Sequence, residues 1–339
     1  MKAVFLAEEG MVEAGQTLAP IVEEGGALVE MKVAAICRTD LKMVVEGHRD
    51  LVLPRILGHE GVGQIIESRN PLFRNGDWVA IYPGLFCGKC FSCRTGHTAR
   101  CESLKIFGFN EDGVFQTHMN FGQKEMGSLV LLPGTHYDET IALIEPLACC
   151  LSGVRKGRDR KGTALIVGAG AVGSIFAALL KSERWDQVVV VDKDIRRLKA
   201  ELPMGVEPIH SSVKALIPVL RKKGWDHEID FVVPCCPEGL NWPFWEVMRP
   251  GGSVLFFSGG IGGNTMLSVD MNAVHYLELS LAGSYGCDKE DFASASNILA
   301  ENRIDLSFFD FYCVRLEDVS DGMERLKGHR TKKVIINQF

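Results

Sequence analysis

Four cysteines lie close together in the first third of the 339-residue chain, in the pattern C-x2-C-x2-C-x7-C. They are Cys87, Cys90, Cys93 and Cys101. Four thiolates at such short spacings can surround one zinc ion tetrahedrally, and a site filled entirely by protein ligands is structural rather than catalytic. An iron–sulfur cluster is the main alternative. The bacterial ferredoxin run has three residues before its fourth cysteine and a proline after it, and neither holds here.

A glycine-rich segment follows an apolar run near the middle of the chain. Its G-x-G-x-x-G pattern is formed by Gly168, Gly170 and Gly173. In a dinucleotide-binding unit the first glycine permits a tight turn, the second lets the backbone approach a pyrophosphate, and the third lets helix and strand pack closely. The helix that would begin at Ala171 and Val172 presents free amides and a positive dipole end to the phosphates.

An acidic residue, Asp192, ends the next apolar run about 20 residues after Gly173. At this position an acid accepts hydrogen bonds from the adenosine ribose and repels a 2′-phosphate, so NAD is favoured over NADP. A simple helix cap is the alternative role for Asp192, but a cap does not account for the glycines. Lys193, Arg196 and Arg197 leave NADP open, and Arg197 is a candidate cofactor contact.

Three dispersed residues are candidates for a second metal site. They are Cys37 in I-C-R-T-D, His59 in G-H-E and Glu145 in I-E-P-L, and each lies beside apolar sequence. One soft, one borderline and one hard ligand suit a zinc ion that keeps an open fourth position. Each signal is weak by itself, because an isolated cysteine or histidine usually belongs to the core. Spacing alone does not bring the three together.

The composition excludes several other classes of protein. Apolar residues make up 46% and charged residues 24%, as in a globular protein, and the net charge of −6 argues against a nucleic-acid groove. We interpret short basic runs, such as Lys222-Lys223 and Lys332-Lys333, as solvated surface. No stretch approaches the ~20 apolar residues of a membrane span, and the N-terminal apolar run is too short for a signal peptide. With eleven cysteines and no signal, we expect a cytoplasmic protein with reduced thiols.

Two kinds of sequence pattern divide the chain. The first half has short alternating runs separated by turn clusters, which predicts mostly β structure. Beyond Gly162, near-continuous apolar runs alternate with helical segments, as in a parallel sheet covered on both faces. We therefore predict a catalytic domain over residues 1–148, completed by 285–339, and a nucleotide-binding domain over 149–284.

In combination and in this order, the motifs resemble those of the zinc-containing medium-chain alcohol dehydrogenases over essentially the whole chain. They are Cys37-Arg-Thr-Asp40, Gly58-His59-Glu60, Gly76-Asp77-Trp-Val, the Cys87 to Cys101 lobe, Glu145-Pro146-Leu147 and the Gly168 to Asp192 unit. The Glu145-Pro-Leu element is more similar to the sorbitol and threonine dehydrogenase branch than to the ethanol-type enzymes. The resemblance implies an α/β fold: a GroES-like, mostly β catalytic domain and a Rossmann NAD domain with a doubly wound parallel sheet. It also implies a homodimer or homotetramer.

The resemblance assigns catalytic roles to five residues. Cys37 and His59 match the family's catalytic zinc ligands, and Glu145 matches the third ligand of the polyol branch, which binds directly or through water. Glu60 matches an acid beside the metal that can exchange with solvent as a ligand. Thr39 matches the hydroxyl that hydrogen-bonds the substrate oxygen.

The proton relay beyond Thr39 departs from the family pattern. Many relatives carry a histidine five residues after the ligand cysteine, and this chain has Lys42 there. Proton release is therefore left open between the cofactor ribose with water, Lys42 itself and the nearby His48.

Together these features predict an NAD-dependent oxidoreductase with two zinc ions per chain. It would transfer a hydride between NAD and a secondary hydroxyl of a polyol, cyclitol, aminocyclitol or amino-alcohol, without nucleic-acid or membrane partners. A simple secondary-alcohol dehydrogenase or ketone reductase is the alternative. A zinc-free NADPH-dependent quinone or enoyl reductase, and a non-enzymatic nucleotide-sensing role, are disfavoured because the ligand residues and Asp192 are retained.

Overall fold

The computed structural model describes residues 1–157, 162–200, 202–259, 266–328 and 331–339. Its strands are β1 (Lys2–Glu8), β2 (Met11–Gln16), β3 (Ala27–Ile36), β4 (Arg55–Ile56), β5 (Glu60–Ser68), β6 (Trp78–Ile81), β7 (Gly84–Leu85), β8 (Lys105–Ile106), β9 (His118–Phe121), β10 (Leu129–Leu131), β11 (Thr163–Val167), β12 (Gln187–Asp192), β13 (Glu207–His210), β14 (Ile229–Pro234), β15 (Met248–Phe256), β16 (Ser280–Gly283), β17 (Phe311–Arg315) and β18 (Lys333–Gln338). Its α-helices are α1 (Arg38–Glu46), α2 (Phe91–Arg94), α3 (Ile144–Val154), α4 (Ala171–Ser182), α5 (Ile195–Ala200), α6 (Leu216–Lys222), α7 (Met271–Tyr276), α8 (Lys289–Ala300) and α9 (Val319–Lys327). Within those ranges no helix is long and apolar enough to cross a membrane.

The chain folds into two units. The first unit comprises Met1–Ala148, Cys287–Asn302 and Asp310–Phe339, and the second comprises Cys149–Gly286 and Arg303–Phe309. The sequence predicts the return of the chain to the first unit but not the short segment that rejoins the second. That segment is too short to show the periodicity that reveals a packed element.

The first unit is built on a sheet of seven strands, which confirms the predicted mostly β domain. The strands lie in the order β10-β6-β5-β3-β18-β17, and β9 also pairs with β3. Most neighbours are antiparallel, whereas β17 and β18 are parallel. Side chains on one face of these strands join a large apolar core that includes Met31, Ile36 and Ile336.

Polar motifs lie at one edge of this sheet, where β3 ends and where β5 and β18 begin. Ala35 of β3 is opposite Glu60 of β5, and Ile36 of β3 is opposite Val334 of β18. Strands of a sheet lie about 5 Å apart, so the first residues of β5 and β18 and the residue just after β3 must be neighbours. The register therefore gathers residues that are far apart in the sequence.

The second unit contains a six-stranded parallel sheet in the order β13-β12-β11-β14-β15-β16. Its central strands are almost wholly buried, as strands covered on both faces should be. The strand order reverses direction beside β11, which is the arrangement of a doubly wound Rossmann sheet. The predicted fold class is therefore confirmed for both units.

Candidate functional site

Cys37 lies at the N-terminus of α1, where a capping box fixes its position. The Cys37 side chain accepts from the Asp40 backbone, and Oδ2 of Asp40 accepts the Cys37 N–H at 2.7 Å. Asp40 is fully buried, and its other oxygen, Oδ1, lies 3.3 Å from Nδ1 of His59. One carboxylate therefore positions the cysteine and orients the histidine.

His59 follows a turn that requires glycine. Gly58 has φ +92°, and a Cβ there would lie 2.3 Å from the Phe115 ring, so no other residue fits without displacing the core. His59 is buried, and its ring centroid lies 5.3 Å from that of Phe109. Because Nδ1 is directed towards Asp40, Nε2 is the nitrogen that remains for a metal ion.

The electrostatic surroundings of His59 favour a cation at this position. Burial lowers the pKa of its imidazole, but the Asp40 carboxylate and the Cys37 thiol more than offset burial, and the pKa lies well above its ordinary value. The field of these groups therefore stabilises positive charge on the ring. A metal ion requires the neutral imidazole and supplies positive charge in place of the proton.

The sulfur, nitrogen and oxygen atoms of Cys37, His59 and Glu60 form a group that fits zinc. Their ligand atoms all lie within 4.8 Å of one another. Both Glu60 oxygens are buried; Oε2 is in ion-pair contact with the Lys333 ammonium, whereas Oε1 has no hydrogen-bond partner among the described residues. A buried acceptor without a partner is costly in a folded protein. A thiolate, an imidazole and a carboxylate form a donor set that suits a catalytic zinc.

Glu145, which the resemblance offers as the third ligand, is not part of this group. It lies in the first turn of α3, half-buried, with its carboxylate within 4.8 Å of the Cys287 sulfur. The structure therefore brings Glu60 closer to the pair of Cys37 and His59 than Glu145. A role for Glu145 through a bridging water stays a prediction.

The residues predicted to move the proton lie on or just after α1. The Thr39 side chain is partly exposed and forms no hydrogen bond within the ranges that the structure describes, so its hydroxyl is available to a substrate. Lys42 is exposed, one turn further along. His48 is half-buried, burial lowers the pKa of its imidazole, and its ring lies 5.1 Å from that of Phe109. The ring of Phe109 thus contacts both His48 and His59.

Lys333 is a residue of this site that the sequence motifs do not predict. The interpretation of Lys332-Lys333 as solvated surface is wrong, since the two residues are 7% and 4% exposed. The Lys333 ammonium forms an ion pair with Oε2 of Glu60. A lysine at the start of a strand has no alternating pattern before it, and only the strand register shows that it is buried.

The four clustered cysteines also fit a metal ion. The sulfurs of Cys87, Cys90, Cys93 and Cys101 all lie within 4.8 Å of one another, and those of Cys87 and Cys93 are 4.0 Å apart. A tetrahedral zinc with Zn–S bonds of about 2.3 Å separates its sulfurs by about 3.8 Å. Backbone N–H groups of Lys89 and Cys90 lower the pKa of Cys87 to about 6, which favours the thiolate that a metal requires.

The glycine loop after β11 has the geometry of a pyrophosphate-binding turn. Gly168 has φ +116°, which only glycine adopts readily. A Cβ on Gly173 would lie 1.9 Å from the Gly168 carbonyl oxygen, so helix and loop are in direct backbone contact there. Nothing lies within 4 Å of a Cβ on Gly170, which leaves open space before the start of α4 at Ala171 and Val172.

A Gly170→Val substitution should separate cofactor binding from folding. Gly170 has φ −75°, which any residue adopts, and the valine side chain would occupy the open space. We expect NADH affinity to fall by about a hundredfold or more while Tm changes by less than about 3 °C. Fluorescence titration and thermal unfolding measure the two effects. Gly173→Ala is the contrasting variant, which should lower Tm. Unchanged NADH affinity of Gly170→Val would mean that the pyrophosphate does not lie on this loop.

Asp192 is buried at the end of β12 and already has structural partners. Its Oδ2 accepts the Ala169 N–H and its Oδ1 accepts the Asp194 N–H, both at 2.8 Å. Arg197 lies 3.6 Å away through Nη1. Asp194 precedes α5, so Asp192 stabilises the turn before this helix and does not cap its first residues. Its ribose role stays a prediction, and a carboxylate can accept further hydrogen bonds.

Comparison with known proteins identifies the family. The model of the alcohol dehydrogenase GroES-like domain matches residues 23–133. D-altritol 5-dehydrogenase of Agrobacterium fabrum is 30% identical over 300 residues, which cover 85% of each chain. L-galactonate-5-dehydrogenase of Escherichia coli is 29% identical over 303 residues, 84% of this chain and 83% of the relative.

Solved structures share the fold over nearly the whole chain. L-idonate 5-dehydrogenase of Escherichia coli has a TM-score of 0.85 at 22% identity, covering 99% of this chain and 97% of its own. A zinc-binding dehydrogenase of Sinorhizobium meliloti bound to NADP has a TM-score of 0.86 at 22% identity, covering 99% and 98%. With its two-unit fold and its clustered ligand residues, the chain belongs to the zinc-type medium-chain alcohol dehydrogenase family.

Proposed function

We propose that the protein is a zinc-dependent polyol dehydrogenase that transfers a hydride between NAD and a secondary hydroxyl. The observation that carries the proposal is the group of Cys37, His59 and Glu60, whose ligand atoms all lie within 4.8 Å of one another and in which His59 and Glu60 are buried. These three residues would hold the catalytic ion, and the four clustered cysteines would hold a second, structural one. The relatives named for altritol, galactonate and idonate support a polyhydroxy substrate.

The chain's own residues position the substrate and its proton. When bound, zinc supplies a Lewis acid at the substrate oxygen and NAD supplies the hydride acceptor. The Thr39 hydroxyl, two residues after Cys37, would accept the substrate proton in a hydrogen bond. Asp40 keeps His59 in the orientation that leaves Nε2 for the metal. Lys42 and His48 are the side chains that would pass the proton on.

NAD is proposed over NADP because the basic residues near Asp192 already have acidic partners. The pairs are Lys193 with Glu238 at 2.6 Å, Arg196 with Asp194 at 2.8 Å, and Arg197 with Asp192 at 3.6 Å. A 2′-phosphate would have to displace these carboxylates and approach the Asp192 carboxylate itself. The repulsion between two anions opposes that approach.

An Asp192→Asn substitution should weaken this cofactor preference. A charge-assisted hydrogen bond contributes about 1.5–3 kcal/mol, so we expect kcat/KM for NAD to fall by about tenfold to a hundredfold. The value for NADP should not fall, because the repelling charge is gone. Steady-state kinetics with both cofactors measure the ratio, and Asp194→Asn is the control for loss of a neighbouring acid. A ratio that is the same in Asp192→Asn and wild type would contradict the ribose role.

The proposed function is tested by NADH formation with the protein purified without chelators. Substrates should include polyols, an aminocyclitol, aldonates, threonine and simple secondary alcohols. We expect kcat/KM for one polyhydroxy class to exceed that of the simple alcohols by about a hundredfold, because a site built to hydrogen-bond hydroxyls rejects analogues without them. Turnover of simple secondary alcohols alone would favour the simpler dehydrogenase, and no turnover with any alcohol would overturn the proposal.

Three predictions from the sequence concern the location, assembly and domain limits of the protein. The cytoplasmic location, the homodimer or homotetramer and the domain limits at 148/149 and 284/285 stay predictions. The zinc-free quinone or enoyl reductase also remains distinguishable, because it would need neither Cys37 nor His59 and would prefer NADPH.

A further inference from the structure

We propose that Lys333 is a positioning residue that fixes the Glu60 carboxylate beside Cys37 and His59 and limits how tightly the site holds a divalent metal. The inference rests on the proposed function, since it concerns the metal that Cys37 and His59 would bind. It assigns a role to a buried lysine that neither the motifs nor the cysteine and histidine spacing reveals.

The placement of Lys333 follows from the sheet. Lys333 opens β18, and its neighbour Val334 lies opposite Ile36, the residue before Cys37. Glu60 opens β5 and lies opposite Ala35. The ammonium of Lys333 and the carboxylate of Glu60 therefore meet beside the Cys37 sulfur. The two side chains are 5% and 1% exposed, so water screens their interaction little.

A lysine buried to this extent requires negative partners. The Lys333 ammonium is in ion-pair contact with Oε2 of Glu60. A buried ammonium is stable only beside compensating anions, and the Glu60 carboxylate is the anion in direct contact with it.

Negative groups dominate the charge around the site. The thiolate of Cys37 and the carboxylates of Asp40, Glu60 and Glu145 would carry four negative charges together. A divalent ion and the Lys333 ammonium would supply three positive charges, so removal of the ammonium leaves a larger excess of negative charge around the ion. Without the ammonium, the carboxylate of Glu60 would direct its whole charge to the metal. The metal would then be held more tightly, and its ability to polarise a substrate oxygen would fall.

The test measures cobalt(II) affinity in protein whose four-cysteine site is filled with zinc. Cobalt(II) is titrated into the Cys37 site in competition with a chelator, and its visible absorption reports the ligand set. We expect Lys333→Met to bind cobalt(II) about tenfold more tightly or better, with a changed absorption spectrum and a lower kcat. Lys333→Arg keeps the charge and should restore wild-type affinity within about threefold. Lys32→Met is the matched control, since it removes a lysine of the same sheet that lies outside the site. The Lys32 ammonium pairs with Oε2 of Glu30 at a distance of 2.6 Å.

Equal cobalt(II) affinity and equal spectra in wild type and folded Lys333→Met would overturn the proposal. If Lys333→Met does not fold, Glu60→Gln is compared with the double variant Glu60→Gln/Lys333→Met, in which no carboxylate is left unpaired. The proposal then predicts weak cobalt(II) binding in the single variant and binding at least about tenfold tighter in the double variant. Equal binding by these two variants would contradict it.

Failure of the proposed function gives a different result from failure of this inference. If wild-type protein binds no cobalt(II) beyond its zinc-filled cysteine site, the catalytic metal site itself is wrong. If wild type binds cobalt(II) with turnover and the lysine variants bind it identically, only the role of Lys333 is wrong.

Discussion

A His59→Ala variant should lose about ten-thousand-fold or more in kcat/KM for the alcohol substrate. The imidazole is buried with Nδ1 facing Asp40, which leaves Nε2 for a metal ion held together with Cys37 and Glu60. Alanine leaves only a thiolate and a carboxylate as ligands. Two ligands bind a divalent metal weakly and do not fix its coordination geometry. Steady-state kinetics and zinc content, measured on the same preparation, should show loss of turnover together with loss of one zinc ion.

The control for His59→Ala is His118, a histidine of the same unit that lies outside the proposed metal site. His118 is half-buried and contacts Thr117, and His118→Ala should change kcat/KM by less than about threefold. NADH affinity should be unchanged in both variants, because the glycine loop and Asp192 belong to the second unit. A His59→Ala enzyme that retains more than about a tenth of wild-type turnover would contradict metal catalysis at this site.

A Cys101→Ala variant should lose the other zinc ion and much of the stability of the first unit. Structural zinc contributes about 10–16 kcal/mol in isolated zinc-finger peptides, and a fraction of that value lowers Tm by about 10 °C or more in a chain of this size. Cys101 is buried, whereas Cys313 is exposed, so Cys313→Ala is the matched control and should leave Tm unchanged. Zinc content and calorimetry measure the result. Two zinc ions and an unchanged Tm in Cys101→Ala would show that the cluster holds no structural metal.

The effect of losing the cysteine cluster should extend beyond the lobe itself. Thr98 accepts the Lys289 N–H at 2.8 Å, and Asp288 accepts the Ala99 N–H at 2.8 Å. Tyr82 donates to the Cys287 carbonyl oxygen at 3.0 Å. These buried and half-buried contacts join the lobe to the start of α8 within the first unit. Disorder of the lobe would therefore remove partners from the helix cap.

The glycine loop and the cysteine cluster could be predicted from the sequence because their chemistry depends on residues that are close together in the chain. The roles of Gly168 and Gly173 depend on backbone angles and contacts within a few residues, and the structure has φ +116° at the first and a 1.9 Å approach at the second. The four cysteines lie in one short segment, so their spacing alone limits the geometry. Apolar runs likewise identified the buried parallel strands of the second unit.

Long-range register explains why spacing along the sequence does not assemble the metal site. Glu60, which the family resemblance places beside the metal, joins Cys37 and His59 because β3 and β5 pair in one register, and a different register would have placed another residue there. Lys333 enters the site from the far end of the chain through the pairing of β18 with β3. Spacing along the sequence contains no information on such pairings. Lys332-Lys333 is therefore interpreted as solvated surface when only the sequence is considered.

Anomalous diffraction at the zinc absorption edge, from crystals grown without chelators, would show whether Cys37, His59 and Glu60 hold a metal ion distinct from that of the four cysteines. We expect two zinc peaks per chain, one within bonding distance of the Cys37 sulfur, His59 Nε2 and a Glu60 or water oxygen, and one among the four cysteine sulfurs. A single peak at the four cysteines, in crystals of protein that turns over an alcohol, would contradict this assignment.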